Sequence, residues 1–363
     1  MLFSLRAHAE GVSDSIPGYD PAQIWNLIPS DVRTYLPSGM ESYFAGESDT
    51  ADVGDSGTFL AAIADMAKDV IKQNTRPMCI LLGYLLILSA VSAMHGGLLG
   101  GEISPLINYI SVLCLALTVY QMLAGVWEVL QETLRTLTVF VDSMIPVMGV
   151  LYAAGGNTAT AAISGSGTAL MISLLENICT LGLYPVLQIC YGFTMLSGLC
   201  PDMHLSGLAT MIRRVFSGIL TAVMTVFSTV LSFQTVLSSS ADTAGMRTVK
   251  YAAGNLIPII GGAVSDAMQT LASGIGYIRT TVGVLALIVI ALMLVPPLLT
   301  LFWYKIIFYF ASVLCEVTGG EKSGAFIKQS GELLNFGIAL LCGAGVMFLL
   351  VFVLFVRTAA AIS

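Results

Sequence analysis

Residue types that perform catalysis are sparse in this sequence, and their spacing does not fit an active site. The turn Gly165-Ser166-Gly167 resembles one that carries a serine nucleophile. Serine nucleophiles need a histidine base, but the three histidines lie in polar or loop contexts (His8, His95, His204). Close packing of small residues between membrane helices is the favoured interpretation. Asp142 and Asp266 lack the Gly-Asp or Tyr-Asp motifs of intramembrane aspartyl proteases. The sequence therefore predicts no catalytic residue.

Motifs for cofactors, metals and nucleic acids are also missing. Gly319-Gly320-Glu321-Lys322-Ser323 lacks the glycine before the lysine that a phosphate-binding loop requires, and its spacing differs. No HExxH or CxxC pattern occurs, so the seven cysteines are interpreted as small apolar packing residues. No basic stripe suits nucleic acid. We predict a protein that is not an enzyme and that has no cofactor, metal or nucleic-acid partner.

A few charged residues lie in apolar surroundings, where charge is costly and is often functional. Lys305 ends the run Phe302-Trp303-Tyr304-Lys305. It either serves a pore or, as we favour, extends to the membrane interface beside aromatic side chains. Glu176 fits a bundle-facing carboxylate and a residue at a helix end equally well. Asp266 faces either a water-filled path or bulk solvent.

Composition places these residues in a membrane protein. Hydrophobic residues make up 56% of the chain and charged residues 10%, against about 25% charged residues in soluble domains. Residues 1–70 carry eleven acidic and three basic residues, and the remainder carries eleven and twelve. The sequence thus predicts an acidic polar head followed by an all-α membrane region with several spans.

Six apolar stretches have about the 20 residues that a membrane-spanning helix needs. Two of them are long and carry prolines near the middle, namely Pro185 and Pro296-Pro297. These two can tilt, kink or split, so six to eight crossings are expected. The six stretches are 77–94, 106–126, 168–199, 215–237, 281–315 and 333–356.

Two shorter apolar pieces, 139–153 and 252–264, each contain an Ile-Pro-x-x-Gly core. The cores supply Pro146 with Gly149 and Pro258 with Gly261; Asn255 and Asp266 flank the second core. Proline disrupts a helix interior and glycine permits tight turns. Irregular backbone at membrane depth requires protein or water around it. We therefore predict two re-entrant or interfacial elements. Together with Lys305, these six residues are the candidate pore or structural positions.

The two pieces are 112 residues apart, and this offset also aligns Arg135-Thr136 with Arg247-Thr248 and Pro185 with Pro297. We predict an internal duplication. Two crossings in each unit make the repeats parallel. The predicted organisation is an acidic polar segment (1–57), an amphipathic lead-in helix (58–76), a first membrane helix pair (77–134), repeat 1 (135–246), repeat 2 (247–357) and a C-terminal tail (358–363).

Two features bear on the side of the membrane on which the head lies. The distribution of Lys and Arg places the N-terminus in the cytoplasm. Ala7-His8-Ala9 fits a signal-peptidase site, which would place the head outside, although no apolar stretch precedes it. The lead-in helix has apolar and charged faces. It lies on the membrane surface or packs on the head.

The run from Gly254 to Gly261, followed by Ser265-Asp266-Ala267 and Thr281-Val282-Gly283, resembles the stage III sporulation protein AE family of endospore-forming bacteria. Tyr304-Lys305 and Gly319-Gly320 also fit that pattern. The order of acidic head, lead-in helix, early spans and core is similar along nearly the whole chain.

The resemblance implies a membrane component of a channel-like complex that connects mother cell and forespore and supports late forespore development. It implies a location in the mother-cell membrane around the forespore, with the head on the non-cytoplasmic side. The implied partners are other membrane and ring-forming proteins of the apparatus, including an ATPase, and further copies of the chain in a homo-oligomer. The alternative is an autonomous secondary transporter with its substrate site at broken helices.

Overall fold

The structure is a computed structural model that describes residues 25–26, 28–36, 56–95, 103–154, 158–199, 211–212, 214–230, 232–233, 261–317 and 321–357. In these residues every secondary-structure element is helical, which confirms the all-α prediction. The helices are α1 (Ser30–Arg33), α2 (Ser56–Gln73), α3 (Thr75–His95), α4 (Ile103–Ala154), α5 (Thr158–Asn177), a π-helical segment (Ile178–Leu183), α6 (Tyr184–Leu199), α7 (Arg214–Val230), α8 (Gly261–Val317) and α9 (Glu321–Arg357).

The most extensive helix contact joins α8 to α9. Glycines of α9 approach α8 closely: a Cβ at Gly331 would lie 3.1 Å from the Phe308 Cβ, and one at Gly345 would lie 2.5 Å from the Leu294 Cδ1. Contacts recur at intervals of about seven residues on both helices, as in antiparallel coiled coils. Small residues at such contacts bring membrane helices close together. The α8–α9 pair therefore forms the core on which the other helices pack.

A second antiparallel pair joins α4 to the continuous unit of α5, the π segment and α6. Near the open end of this pair, the Tyr191 hydroxyl donates to the Tyr120 carbonyl at 2.8 Å, and the two rings stack with centroids 5.4 Å apart. Near the other end of this helix pair, a Cβ at Gly165 of α5 would lie 3.6 Å from the Ile145 Cγ2 of α4. These contacts fix the register of α4 against α5, the π segment and α6.

The described part of the acidic head is folded. Ile28 and Val32 are buried, and α1 contacts α8. The Tyr35 hydroxyl donates to the Asp69 Oδ2 at 2.5 Å, which ties the head to α2. Helix α2 in turn buries Met66 and packs on α8. The apolar face of the lead-in helix is thus covered, at least in part, by protein.

Four helices are long and apolar enough to cross a membrane, and a fifth span arises if α2 and α3 count together. These two helices meet at a 45° bend. The four are Tyr109–Leu151, Gly165–Leu196, Thr281–Val317 and Ser323–Val353. Helix α7, over its described 17 residues, is shorter. Over their described residues, the six predicted apolar stretches coincide with helices, whereas the number of crossings stays a prediction.

The prediction of a broken element at 139–153 is wrong. Pro146 lies inside α4, a continuous helix of 52 residues. A proline in a helix interior removes one hydrogen bond, but the surrounding turns are held by packing. Met144, Met148 and Leu151 recur along one face and are fully buried. Tertiary packing of this face outweighs the local preference.

The prolines of the long apolar stretches do not break their helices either. Pro296 and Pro297 lie inside α8. Pro185 follows the π segment, in which the Tyr184 amide donates to the Cys179 carbonyl five residues earlier. A proline clashes with the carbonyl four residues before it, and the wider π turn relieves that clash. The second predicted broken element is 252–264. Its residues 252–260 lie outside the described residues, and its last four residues belong to α8, which begins at Gly261. The duplication stays a prediction.

Candidate functional site: a polar cavity between α4, α5 and α9

A polar cavity of about 380 Å³ lies where α4, α5 with the π segment, and α9 meet. It is the feature of the described residues that best fits a functional site. Most of its lining side chains are charged or polar, although they come from apolar helices. The lining consists of Glu128, Gln131, Glu132, Leu134, Arg135 and Thr138 of α4, Leu175 and Glu176 of α5, Cys179 and Thr180 of the π segment, and Phe348 of α9.

Helix α4 brings its polar residues together by their spacing. Glu128, Glu132, Arg135 and Asp142 are separated by intervals of four, three and seven residues. Side chains at such intervals lie on one face of a helix, and all four are exposed. The opposite face, with Leu130 and Leu137, is fully buried. Burial of the apolar face therefore directs the charged face into the cavity.

The facing wall comes from α5 and the π segment, which run antiparallel to α4. The register set at Tyr120–Tyr191 and Ile145–Gly165 places Glu176 opposite the middle of α4. The Thr180 hydroxyl donates to the Glu176 carbonyl at 2.7 Å, and the Thr138 hydroxyl donates to the Leu134 carbonyl at 3.0 Å. Both hydroxyl oxygens keep acceptor capacity, so these threonines can accept a hydrogen bond from water or from a bound donor.

The charged groups that line the polar cavity form no ion pair with any residue that the structure describes. Three carboxylates (Glu128, Glu132, Glu176) face it with one guanidinium (Arg135). Among the residues that the structure describes, the only ion pair joins Lys68 Nζ to Asp65 Oδ1 at 2.7 Å, far from this site. No described group of three His, Cys, Asp or Glu side chains is arranged to hold a metal ion. The cavity therefore suits water, small cations or cationic groups rather than a tightly bound metal.

The depth of the polar cavity follows from the uncharged helices that pack around it. Residues 281–304 and 333–356 contain no Asp, Glu, Lys or Arg. Each stretch is about 36 Å long as a helix, which exceeds the roughly 30 Å of a bilayer's hydrocarbon core. Phe348 lines the cavity and lies about 12 Å from one end of its stretch and about 22 Å from the other. The cavity is therefore at membrane depth.

The contacts of Trp127 support this placement. A Cβ at Gly337 would lie 2.9 Å from the Trp127 Cζ3 and 3.3 Å from the Leu301 Cδ2. Helices α4, α8 and α9 thus meet at the Glu128 end of the cavity, where both uncharged stretches are present. Glu128 follows at once on α4, and Arg135 lies two turns farther along. Ionisable groups at such depth face a bundle interior, a water-filled space or each other.

The structure does not gather the seven predicted site residues into one place. Pro146 is exposed on α4, and Gly149 lies one turn after it. Asn255 and Pro258 fall outside the described residues, while Gly261 and Asp266 belong to the first turns of α8. Lys305 is exposed on α8. Pro146, Gly149 and Lys305 do not line the polar cavity, and the functional role of all seven residues stays a prediction.

Sequence reasoning missed the polar cavity because it ended one apolar stretch at residue 126 and began the next apolar piece at residue 139, so Glu128, Glu132 and Arg135 were assigned to neither. Of the lining residues, Glu176 is the one that the sequence marks as a charge in an apolar stretch, with two interpretations. In the structure it lines the cavity, is exposed and is the last residue but one of α5, so both interpretations stay predictions. A signal was available. The intervals between Glu128, Glu132, Arg135 and Asp142 indicate one face of a helix, which a connector between two spans would not require.

Comparison with known proteins identifies the family. The model of the stage III sporulation protein AE family matches residues 46–359. The chain belongs to this family. The matched range includes every residue that lines the polar cavity. The family assignment confirms the resemblance seen in the sequence.

A curated relative from Bacillus subtilis (strain 168), described as stage III sporulation protein AE, is 24% identical over 223 residues. This alignment covers 60% of the chain and 55% of the relative, so the match spans about half of the relative's length. No solved structure matches the chain. Together with the apolar helices, the family identifies a multi-pass membrane protein of sporulation.

Proposed function

We propose that the chain is a membrane component of a channel-like, multi-protein complex that connects mother cell and forespore during endospore formation. The family supplies the sporulation context. The observation that carries the conducting role is the polar cavity, because unpaired charges at membrane depth require water or protein beside them. Its excess of carboxylates favours water and small cationic solutes. The chain acts without chemistry of its own.

The proposed location is the mother-cell membrane around the forespore, with the head on the non-cytoplasmic side. Proposed partners are further copies of the chain and the membrane, ring-forming and ATPase proteins of the same apparatus. The described part of the head supports such a role. It is folded onto α2 and α8, so it presents a defined surface rather than a loose tail.

Complementation of a sporulating strain that lacks its own copy tests the proposal. The cavity is made apolar by Glu132→Leu together with Glu176→Leu. We expect late forespore reporter expression to fall to the level of the deletion strain, while membrane abundance stays near that of the unsubstituted chain. The matched control is Lys328→Leu, which removes an exposed charge of α9 outside the cavity. Normal reporter expression in the strain with the Glu132→Leu and Glu176→Leu variant contradicts the proposal. Normal reporter expression in the deletion strain itself also contradicts it.

The second candidate function is an autonomous secondary transporter. It is favoured by one observation: irregular helix, the π segment, supplies Cys179 and Thr180 to a polar cavity at membrane depth. π-helical turns occur often at functional sites, and interrupted helices form substrate sites in transporters. Substrate-dependent uptake by the purified chain alone in liposomes would establish this candidate. Uptake that requires other components of the sporulation complex favours the channel component.

A further inference from the structure

We propose that a second copy of this chain closes the polar cavity, so that the aqueous passage runs between copies rather than through one. This inference rests on the proposed function and adds the position of the passage and the partner that completes it. It starts from the openness of the cavity. Glu128, Glu132, Arg135 and Glu176 all line it and are all exposed. Among the described residues, α9 is the one helix besides α4 and α5 with the π segment that lines the cavity, and it does so through Phe348.

Lipid is a poor occupant for the open side. The cavity is at the depth of two uncharged helical stretches, so a single copy in a bilayer would turn three carboxylates and a guanidinium toward acyl chains. Charged side chains at the bilayer centre cost several kcal/mol on insertion scales. None of the four has an intramolecular ion pair among the described residues. The open side therefore needs protein or water against it.

The margins of the polar cavity have the character of a protein interface. A large apolar side chain stands exposed on the face of α4 that carries Glu128 and Glu132, because Val139 is 58% exposed and its spacing puts it on that face. Exposed apolar residues around a polar centre pack against a partner and leave the centre hydrated. At membrane depth, such packing holds helices together through van der Waals contact.

The charges of the cavity favour a second copy as that partner. The same face carries both signs, with Arg135 among three carboxylates that it does not pair with in its own chain. When two such faces approach, the guanidinium of each copy finds a carboxylate of the other. Such complementarity fixes register and excludes wrong partners. The two surplus carboxylates per copy remain for water and cations in the passage.

Cross-linking in native membranes tests the geometry of the inference. The native cysteines are first replaced by alanine, and cysteine is then introduced by Gln131→Cys in the cavity lining. The matched control is Val226→Cys on α7. The Val226 side chain is 60% exposed. Helix α7 packs beside the uncharged stretch of α9, where Leu220 lies near Gly343, and it supplies no lining residue of the cavity. A short bis-maleimide should give a covalent dimer at Gln131→Cys and little at Val226→Cys. Equal yields at the two positions, or none at either, overturn the inference.

Charge exchange tests the chemistry in purified full-length chain in lipid nanodiscs. Arg135→Glu should lower the association constant of the copies about thirtyfold or more, the scale of losing one partner of a buried interfacial charge pair. The double variant Glu132→Arg with Arg135→Glu keeps the net charge and should recover part of the association. Lys328→Glu makes the same charge change outside the cavity and should have no effect. Circular dichroism and thermal unfolding verify that each variant is folded.

Three outcomes overturn the inference: a monomeric unsubstituted chain, an association constant unchanged by Arg135→Glu, and an equal loss with Lys328→Glu. If folding itself is lost with Arg135→Glu, Arg135→Gln serves in its place with the same expectation of direction. These results are separate from the sporulation test. If the chain is monomeric but the variant with the apolar cavity still fails to support forespore expression, the inference is removed and the proposed function stands. Conversely, if the copies associate in nanodiscs while the deletion strain shows normal forespore expression, the proposed function is removed and the inference stands.

Discussion

Arg135 and Glu176 show at the scale of single residues what the sequence reveals and what it hides. Glu176 interrupts an apolar stretch, so hydropathy alone draws attention to it. Arg135 belongs to a polar run with Glu128 and Glu132, and such a run is typical of a loop. Only the register between α4 and α5 brings the two residues to one cavity. That register depends on contacts between distant parts of the chain, which sequence spacing does not specify.

Pro146 gives the residue-scale prediction. It is exposed in the interior of α4, where proline is less favourable than alanine by about 3 kcal/mol. We expect Pro146→Ala to raise the free energy of unfolding, measured by denaturant titration in bicelles, by about 1–3 kcal/mol. Gly149→Ala is the matched control. A Cβ there would meet nothing within 4 Å, and the gain should be about 1 kcal/mol.

A loss of stability with Pro146→Ala would mean that residues 139–153 are not helical in the membrane. It would restore the interpretation drawn from the Ile-Pro-x-x-Gly core. The related expectation, that leucine at Pro258 and Gly261 impairs function more than leucine at Pro146 and Gly149, stays a prediction.

At the scale of elements, hydropathy predicts where helices are but not where they end. Each of the six predicted apolar stretches is helical over the part of it that the structure describes. The stretch at 106–126 nevertheless continues to Ala154, because its charged turns are stabilised by the packing of the opposite face. The stretch at 168–199 begins earlier, at Thr158, where small and hydroxyl residues resemble a loop. The prolines disturb the helices less than the sequence predicts. The π segment before Pro185 and the packing around Pro296 and Pro297 keep those helices continuous.

The contact between α4, α8 and α9 gives the element-scale prediction. A Cβ at Gly337 would already crowd Trp127 and Leu301. We expect Gly337→Leu to lower the free energy of unfolding by about 1–3 kcal/mol, the usual cost of overpacking. The control is Gly125→Leu on α4, where a Cβ meets nothing within 4 Å and stability should be unchanged or higher. Equal stability of both variants in bicelles would show that α9 does not pack against Trp127 as described.

At the scale of the whole molecule, the length of the helices exceeds what one bilayer covers. Helix α4 has 52 residues and is therefore about 78 Å long, more than twice a hydrocarbon core of roughly 30 Å. The uncharged stretches of α8 and α9 place the second half of α4 in the membrane. The first half packs against α3, where the Tyr84 hydroxyl donates to the Ser111 carbonyl at 2.6 Å.

The side of the membrane on which the head lies is the whole-molecule prediction. The charge distribution favours the cytoplasm, whereas the family resemblance and Ala7-His8-Ala9 favour the opposite side. The structure adds a physical argument. The described part of the head is joined to α2 through Tyr35 and Asp69, so this part and α2 lie on the same side of the membrane, and they cross it together or not at all. Long folded regions are translocated largely regardless of their charge, which weakens the argument from Lys and Arg.

We therefore expect the head and α2 to be accessible from the non-cytoplasmic side. Single cysteines introduced by Ser42→Cys and Ala64→Cys, in the background without native cysteines, should react with a membrane-impermeant maleimide in intact cells before engulfment. Ala64 is exposed on α2, so its reaction reports the side on which that helix lies. Tyr35→Phe removes the hydrogen bond to Asp69 and should leave labelling at both positions unchanged, because one exposed hydrogen bond contributes only about 1 kcal/mol. Labelling of both cysteines only after lysis would place the head in the cytoplasm, and labelling of one alone would show that the head and α2 are not on one side.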